Sequence, residues 1–338
     1  MTGREVIDFG LKNIYRSFFE YRKGKNPGID LDTFQYNLEH ELFNLWKDLN
    51  KNTYKHGKYR KFTVCDNKKR EISVASVRDR VVHRLVYDYL TEIFDKTFIY
   101  DAWSCRKNKG LVAAIERTQL FTKKYADGFI WRADIKKFFD SVDHNVLVKI
   151  LKFRITDKKT ISLLMEIITS YSTKEGKGMP IGNLTSQIFS NIYLKELDRY
   201  IKHILKCRAY VRYGDDFIVF DKNKEQLILI REKAVHFITD KLKLTMNPKN
   251  DFIIKAKQGL KFLGVIIYPG GRKLNKRNTN RINNRLNPVN IGSYWGIINN
   301  HTKENKIREL QWKLTDIING GPGRIPDLFH KVLWDKSL

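Results

Sequence analysis

The sequence predicts an α+β fold, and three observations carry that prediction. Of its 338 residues 42% are hydrophobic and 12% aromatic, a composition that packs a core and is not that of a disordered basic tail. Stretches with apolar residues at helical spacing stand among short apolar and aromatic runs bounded by turn residues. The two kinds of segment follow no regular alternation, which argues against a doubly wound sheet. No internal repeat or low-complexity linker interrupts the chain, whose length suggests about two domains.

In chain order, residues 1 to about 60 read as helical, with Phe34, Leu38, Leu42 and Leu45 at helical spacing. "YRKFTVCDNKKREISVAS" reads as two short strands about the turn Asp66-Asn67, with Lys68, Lys69 and Arg70 at its tip. Residues 77–94 form an amphipathic helix, and a basic loop and another helix follow. "FIWRAD" is a strand ending in Asp134, and a helix begins near Asp143 with Val146, Leu147, Ile150 and Leu151 on one face. A glycine-rich loop runs into a long helix lined by Leu184, Ile188 and Ile192. "AYVRYGDDFIVF" is a hairpin. Next come a helix over 224–242, a strand near 252–254 and a hairpin at "KFLGVIIYPGG". From about Lys273 the chain is rich in Asn, Lys and Arg and reads as helical, with Trp295 and Trp312 as core residues.

Charge narrows the function. Lys and Arg number 64 against 37 Asp and Glu, a formal charge of +27. Such an excess opposes compaction, and a polyanionic partner accounts for it economically. Cys65, Cys105 and Cys207 have no metal-ligand spacing and read as reduced thiols of a cytoplasmic protein. No run of about 18 apolar residues spans a bilayer, and no apolar signal core opens the chain, so no membrane is expected.

The hairpin "AYVRYGDDFIVF" sets Asp215 and Asp216 side by side between apolar runs. Gly214-Asp215 alone is ordinary turn chemistry. Asp134, however, ends another apolar strand, and neighbouring strands in one sheet bring it to the same edge. Converging carboxylates repel one another, are stable mainly with cations between them, and as hard oxygen ligands select Mg²⁺. Mg²⁺ on few carboxylates, completed by substrate phosphates, is the arrangement of two-metal nucleotidyl transfer.

These residues carry a resemblance. "YGDDF" resembles the Tyr-x-Asp-Asp box of reverse transcriptases, and "ADIKKFFDSVDH" resembles the motif bearing their first catalytic aspartate. "GMPIGNLTSQIFSNIYLKELD" is similar to the template- and nucleotide-contacting motif, and "LKLTMNPKN" with "LKFLGVII" to the last palm motif and primer grip. The four stand in family order over roughly 60 to 268. The resemblance implies a right-hand polymerase: fingers over 1–115, palm over 116–270, and a basic helical thumb over 271–338.

The resemblance also implies roles. Asp134, Asp215 and Asp216 are catalytic and, with Ile135, form the metal site for two Mg²⁺ ions, Mn²⁺ being a possible substitute; Asp216 is the less essential carboxylate. Asp140 and Asp143 are read instead as helix caps. Phe139 resembles the steric gate that excludes a ribose 2′-hydroxyl, with Phe138 in the core. Lys69, Arg70, Arg78 and Arg80 are candidates for the triphosphate; for Arg80 the alternative is a surface ion pair with Asp79 or an acid one turn away. Ile181, Gly182 and Gln187 belong to the nucleotide and template site. Lys249 lies near the family's pyrophosphate-protonating lysine, although Asn250 holds the commoner position. Phe262, Leu263 and Gly264 correspond to the primer grip. Arg272, Lys273, Lys276, Arg277, Arg281 and Arg285 are expected on one helix facing phosphates.

Ile181 before glycine, where many relatives have Gln, resembles the enzymes of diversity-generating retroelements; "VRDRVVH", "FIYDAWSCRKNKG" and "SYWGIINNH" point the same way. That group implies error-prone copying at template adenines. The alternative is a phage-defence reverse transcriptase working with a non-coding RNA, and further off stands an RNA-binding scaffold without turnover. The expected partners are a structured template RNA, the cDNA product, dNTPs, and an accessory protein or second reverse transcriptase. The length is read as leaving no room for an endonuclease, RNase H or maturase domain.

Overall fold

The computed structural model describes residues 6–65, 69–285 and His301. Three helices open it: α1 (Leu11–Arg22), α2 (Ile29–Tyr36) and α3 (Leu38–Lys51). The apolar line expected through Phe34 and Leu38 is broken at Asn37, whose ψ of 27° ends one helix and starts the next. β1 (Arg60–Cys65) and β2 (Lys69–Val74) pair antiparallel from Arg60↔Val74 to Cys65↔Lys69. Lys68 lies outside the described residues, and Lys69 and Arg70 begin β2. All of β1 is exposed, so neither face of that strand is built to pack a core.

α4 (Val77–Phe94) starts where the Ser76 hydroxyl accepts from the Asp79 amide at 3.1 Å. Val81, Val82, Leu85, Val86, Tyr89 and Leu90 follow at helical spacing and are buried. Each such side chain contributes about 1.5–3 kcal/mol on burial, so tertiary packing holds this helix. α4 packs against α1 and against α9 (Leu184–Arg199). α9 is buried nearly all round, which makes it a central helix rather than a surface one.

After α5 (Leu111–Lys124) come β3 (Phe129–Asp134), the single turn α6 (Phe138–Ser141), α7 (His144–Lys152) and α8 (Lys158–Thr169). Asp143 caps α7 by accepting from the Val146 amide at 3.1 Å, and Asp157 caps α8 through Thr160 at 2.7 Å. Asp140 does not share in capping α7, because it lies inside α6. β4 (Ala209–Tyr213), β5 (Asp216–Asp221), α10 (Lys224–Asp240) and β6 (Phe252–Lys255) follow, and the sheet order is β4-β5-β3-β6.

Contacts group the chain into two compact units. The first comprises residues 1–110, 131–219 and 224–253. The second comprises 111–130, 220–223 and 254–338, and contains the antiparallel sheet β7 (Leu260–Phe262), β8 (Val265–Tyr268) and β9 (Gly271–Leu274), then α11 (Lys276–Arg285). Within it α5 packs on β8, and the Gln119 amide donates to the Tyr268 carbonyl at 2.6 Å. The basic segment expected as one helix is therefore two elements: Arg272 and Lys273 are on β9, and Lys276, Arg277, Arg281 and Arg285 are on α11. Trp295 and Trp312 lie outside the described residues.

Candidate active site

One local turn and one pairing of distant strands create the site in the first unit. Gly214, at φ +65°, closes a two-residue turn between β4 and β5 and leaves Asp215 at its tip. β3 neighbours β5, so its last residue, Asp134, comes up beside that tip. The same residues thus form an ordinary turn and bring Asp134 beside Asp215.

The electrostatics follow from this packing. The Asp215 carboxyl is pushed up to about 7, first by burial and then by the neighbouring Asp134 carboxylate. Asp216 is pushed up to about 6 by burial, against the opposing pull of the Arg132 guanidinium. Burial and the like charge of Asp134 both disfavour an ionised Asp215, and a bound cation would relieve both. Oxygen donors of this kind fit Mg²⁺ or Mn²⁺. Among the described residues no group of three or more His, Cys, Asp and Glu side chains is arranged to hold a metal ion.

Asp134 is held from the chain that follows α10. The side-chain amides of Asn247 and Asn250 both donate to its Oδ2, at 2.8 and 3.1 Å. The backbone joins the same segments: Asn247 N donates to Asp134 O at 2.8 Å and Lys136 N to Thr245 O at 2.8 Å, flanking a bridge between the buried Ile135 and Met246. Lys249 is exposed and Asn250 touches Asp134, so the two side chains do different work.

The turn is held from beneath. Arg212, fully buried, donates from Nε and Nη2 to the two oxygens of Asp198, each at 2.7 Å. Its Nη1 reaches the Gly214 carbonyl at 3.0 Å and Asn191 Oδ1 at 3.2 Å. Tyr210 adds its hydroxyl to Asp198 at 2.7 Å. A buried ion pair satisfied this fully is rigid, and it ties α9 to the carbonyl beside Asp215. Arg132, Asp198, Arg212 and Asn247 escaped the sequence reading. An arginine inside the apolar run "AYVRY" was the available signal, since a buried charge requires a partner.

The expected nucleotide residues divide. Phe138 is buried and Phe139 remains partly exposed, with the Phe139 carbonyl accepting from Met179 N at 2.8 Å. The Ile181 carbonyl accepts from Ser73 N at 3.1 Å, and the Asn183 amide donates to Ser73 O at 2.8 Å, so β2 is sewn to the loop bearing Gly182. Gly182 has φ +103°, and a Cβ there would lie 2.8 Å from an Ile72 methyl. Gln187, Lys69 and Arg70 are exposed. Arg80 is engaged elsewhere: Nε donates to the Ala75 carbonyl at 2.8 Å and the guanidinium lies over the Tyr21 ring. Asp79, offered above as its partner, instead accepts from Tyr54, Ser76 and Gly57. Arg78 pairs with Asp48.

In the second unit Leu263 and Gly264, at φ +47° and +88°, make the tight turn between β7 and β8, while Phe262 is buried. The Gly264 carbonyl accepts from Asn275 N and from the Asn278 side chain, at 3.1 and 3.0 Å, joining that turn to the start of α11.

The family description "Reverse transcriptase (RNA-dependent DNA polymerase)" matches residues 52–267, which include Asp134, Asp215 and Asp216. The chain belongs to the reverse transcriptase family. This reverse transcriptase domain is 30% identical over 307 residues to the COX1/OXI3 intron 2 protein of Saccharomyces cerevisiae, covering 72% of this chain and 35% of the relative. It is 26% identical to protein YkfC of Escherichia coli, covering 59% and 63% respectively. With the group II intron-encoded protein LtrA of Lactococcus lactis it shares 23% identity over 74% of this chain and 53% of LtrA. The chain thus spans between about a third and somewhat under two thirds of these relatives' lengths. Among solved structures, apo telomerase from Candida tropicalis matches with a TM-score of 0.51 at 12% identity, over 79% of this chain and 66% of that one. That likeness shows the reverse transcriptase fold. No helix among the described residues is long and apolar enough to cross a membrane.

Proposed function

We propose that this protein is an RNA-directed DNA polymerase that extends a primer along an RNA template with dNTPs. The observation that carries the reading is the pairing of Asp134 with Asp215, whose carboxyl burial and mutual repulsion push up to about 7. The chemistry that divalent cations supply at such a site is Lewis acidity, toward the primer 3′-hydroxyl and the triphosphate. The protein's own groups do the rest. Asn247 and Asn250 orient Asp134, and Arg212 holds the Gly214 carbonyl so that Asp215 keeps its place. Phe139 stands partly exposed where a ribose 2′-hydroxyl would meet its ring, and Ile181 and Gly182 border the template. Lys69 and Arg70 on the exposed hairpin are offered to the triphosphate, and the basic residues of β9 and α11 to the duplex, in a fingers, palm and thumb arrangement.

Within that activity we infer a dedicated structured RNA as template, an accessory protein or second reverse transcriptase as partner, and work in the cytoplasm. The similarity to proteins encoded within introns supports a dedicated RNA. Ile181 presents no side-chain hydrogen bond to a base, and a site offering only apolar contact discriminates weakly. This favours the error-prone enzyme of a diversity-generating retroelement; the antiviral reading predicts faithful copying. The test is dNTP incorporation on a primed, adenine-rich RNA with Mg²⁺. Wild type should extend and misincorporate at adenines, Ile181→Gln should copy more faithfully, and Asp215→Asn should not extend while still binding RNA. No extension by wild type, with its own RNA and partner supplied, would leave a binding scaffold instead.

A further inference from the structure

β4 is an edge strand of its sheet, and a loop that follows α4 closes its open side. Arg212 N donates to the Asp101 carbonyl and Trp103 N to the Arg212 carbonyl, each at 2.9 Å, around a parallel bridge between Ala102 and Arg212. The loop thus satisfies the backbone donor and acceptor of a fully buried residue. α9 joins in through Asn191, whose amide donates to the Ser104 carbonyl at 2.9 Å while its oxygen accepts from Arg212 Nη1 at 3.2 Å. The same Nη1 holds the Gly214 carbonyl. One backbone route and one side-chain route therefore connect this loop to the turn that carries Asp215.

Arg106 shapes the loop. Cys105, at φ +54°, reverses the chain and returns the Arg106 side chain to the residues before it. Nε donates to Asp95 Oδ1 at 2.7 Å, and Nη2 to Oδ2 and to the carbonyl of the same residue at 3.3 and 3.2 Å. Nη1 donates to the Ile99 and Ala102 carbonyls at 2.9 and 3.0 Å. Asp95 caps the C-terminus of α4, where the helix dipole favours a cation. The guanidinium also lies over the buried Phe98 ring, and Lys109 lies over the rings of Tyr100 and Trp103. With 10% of its side chain exposed, Arg106 faces the protein, unlike the exposed cations of β2.

We propose that Arg106 is a positioning residue for DNA synthesis: it locks residues 99–104 against β4, and through Arg212 that lock keeps the Gly214 turn and Asp215 in place. The inference rests on the polymerase reading. The planar fork is required because one side chain must meet a carboxylate and two carbonyls at once, which a lysine ammonium does not do. Misplacing a reacting group by about 1 Å costs on the order of 10²-fold in rate, so a loosened edge should appear in turnover and not in binding.

The test pairs hydrogen–deuterium exchange, which requires no activity, with kinetics on primed RNA in Mg²⁺. The Asp95 side chain is 38% exposed and is solvated once unpaired, so Arg106→Gln should fold. In that variant the Trp103 and Arg212 amides should exchange about ten-fold faster or more, while those of α8 keep their wild-type rates. kcat should fall about ten-fold or more, with KM for dNTP and the affinity for primed RNA within about three-fold of wild type. Arg106→Lys, which keeps the charge at the end of α4 and loses the fork, should lie between the two in exchange and in kcat. Unchanged exchange at Trp103 and Arg212 in a folded Arg106→Gln protein overturns the proposal. So does faster exchange with a wild-type kcat, and so does a rise in KM at constant kcat, which would make the loop a substrate contact. Equal acceleration in α8 overturns it too, reducing Arg106 to a stabiliser of the whole unit. The expected exchange pattern in a protein that makes no DNA even as wild type would sink the polymerase reading and leave the brace on β4 standing.

Discussion

Replacing Arg212 with methionine separates what holds the fold from what holds the turn. Asp198 is completely buried and keeps its Tyr210 hydroxyl in the variant, but it loses both 2.7 Å guanidinium contacts. Removing one partner of a buried pair strands the other charge and costs about 3–5 kcal/mol. Total stabilities lie at about 5–15 kcal/mol, so a single change consumes a large part of the margin. Adding Asp198→Asn removes the stranded charge, leaves an acceptor for Tyr210, and should recover most of the loss. It restores nothing to the Gly214 carbonyl, which Arg212 Nη1 reached at 3.0 Å. The double variant should therefore be stable and still slow. Urea unfolding followed by circular dichroism gives the stabilities, and dNTP incorporation per folded molecule gives the rates. A cost below about 1 kcal/mol for the single variant would mean that the pair is not desolvated as its burial implies. A stable double variant with wild-type rate would refute the positioning role of Arg212.

Three other outcomes are expected. Phe139→Ala should raise ribonucleotide incorporation relative to dNTPs; an unchanged ratio in single-nucleotide assays would place the gate elsewhere. Gly182→Ala should cost on the order of 1–3 kcal/mol, because φ is +103° and the new Cβ meets the Ile72 methyl at 2.8 Å, and thermal melting reads the loss directly. His83 is buried, faces His56 across a 3.0 Å ring nitrogen contact, and is pushed down to about 3, first by burial and then by His56. Its folded pKa lies below the unfolded value of about 6.5, so its contribution is intact above that pH and is lost as pH falls toward 3, by at most about 1.4 kcal/mol per pH unit. His83→Gln should flatten the acid limb of stability against pH; an equally steep limb would assign it to other groups.

Much of the site was legible because its signals are local. A Gly-Asp turn between apolar runs specifies a hairpin, and an acid closing an apolar strand stands out wherever the strand lies. Of the neighbours Phe138 and Phe139, Phe138 is the buried one, as read. The same local pattern misled at Asp140 and in the basic segment after Gly271. A possible cap and a run of cations look alike whether the backbone is turn, strand or helix, and the pairing of β9 with β8 decided the latter.

The sequence by itself determined the fold class and the family and marked the three carboxylates as candidates, because turn chemistry, side-chain period and motif order are written along the chain. Tertiary structure alone decided what each carboxylate touches. Asn247 and Asn250 reach Asp134, Arg132 takes Asp216, and Arg212 spans from Asp198 to the Gly214 carbonyl. Most of these contacts join elements far apart in the chain. Nothing in the local pattern marks an asparagine or an arginine for one partner. Only the order of strands in the sheet, and the burial that makes an unpaired charge costly, selects it.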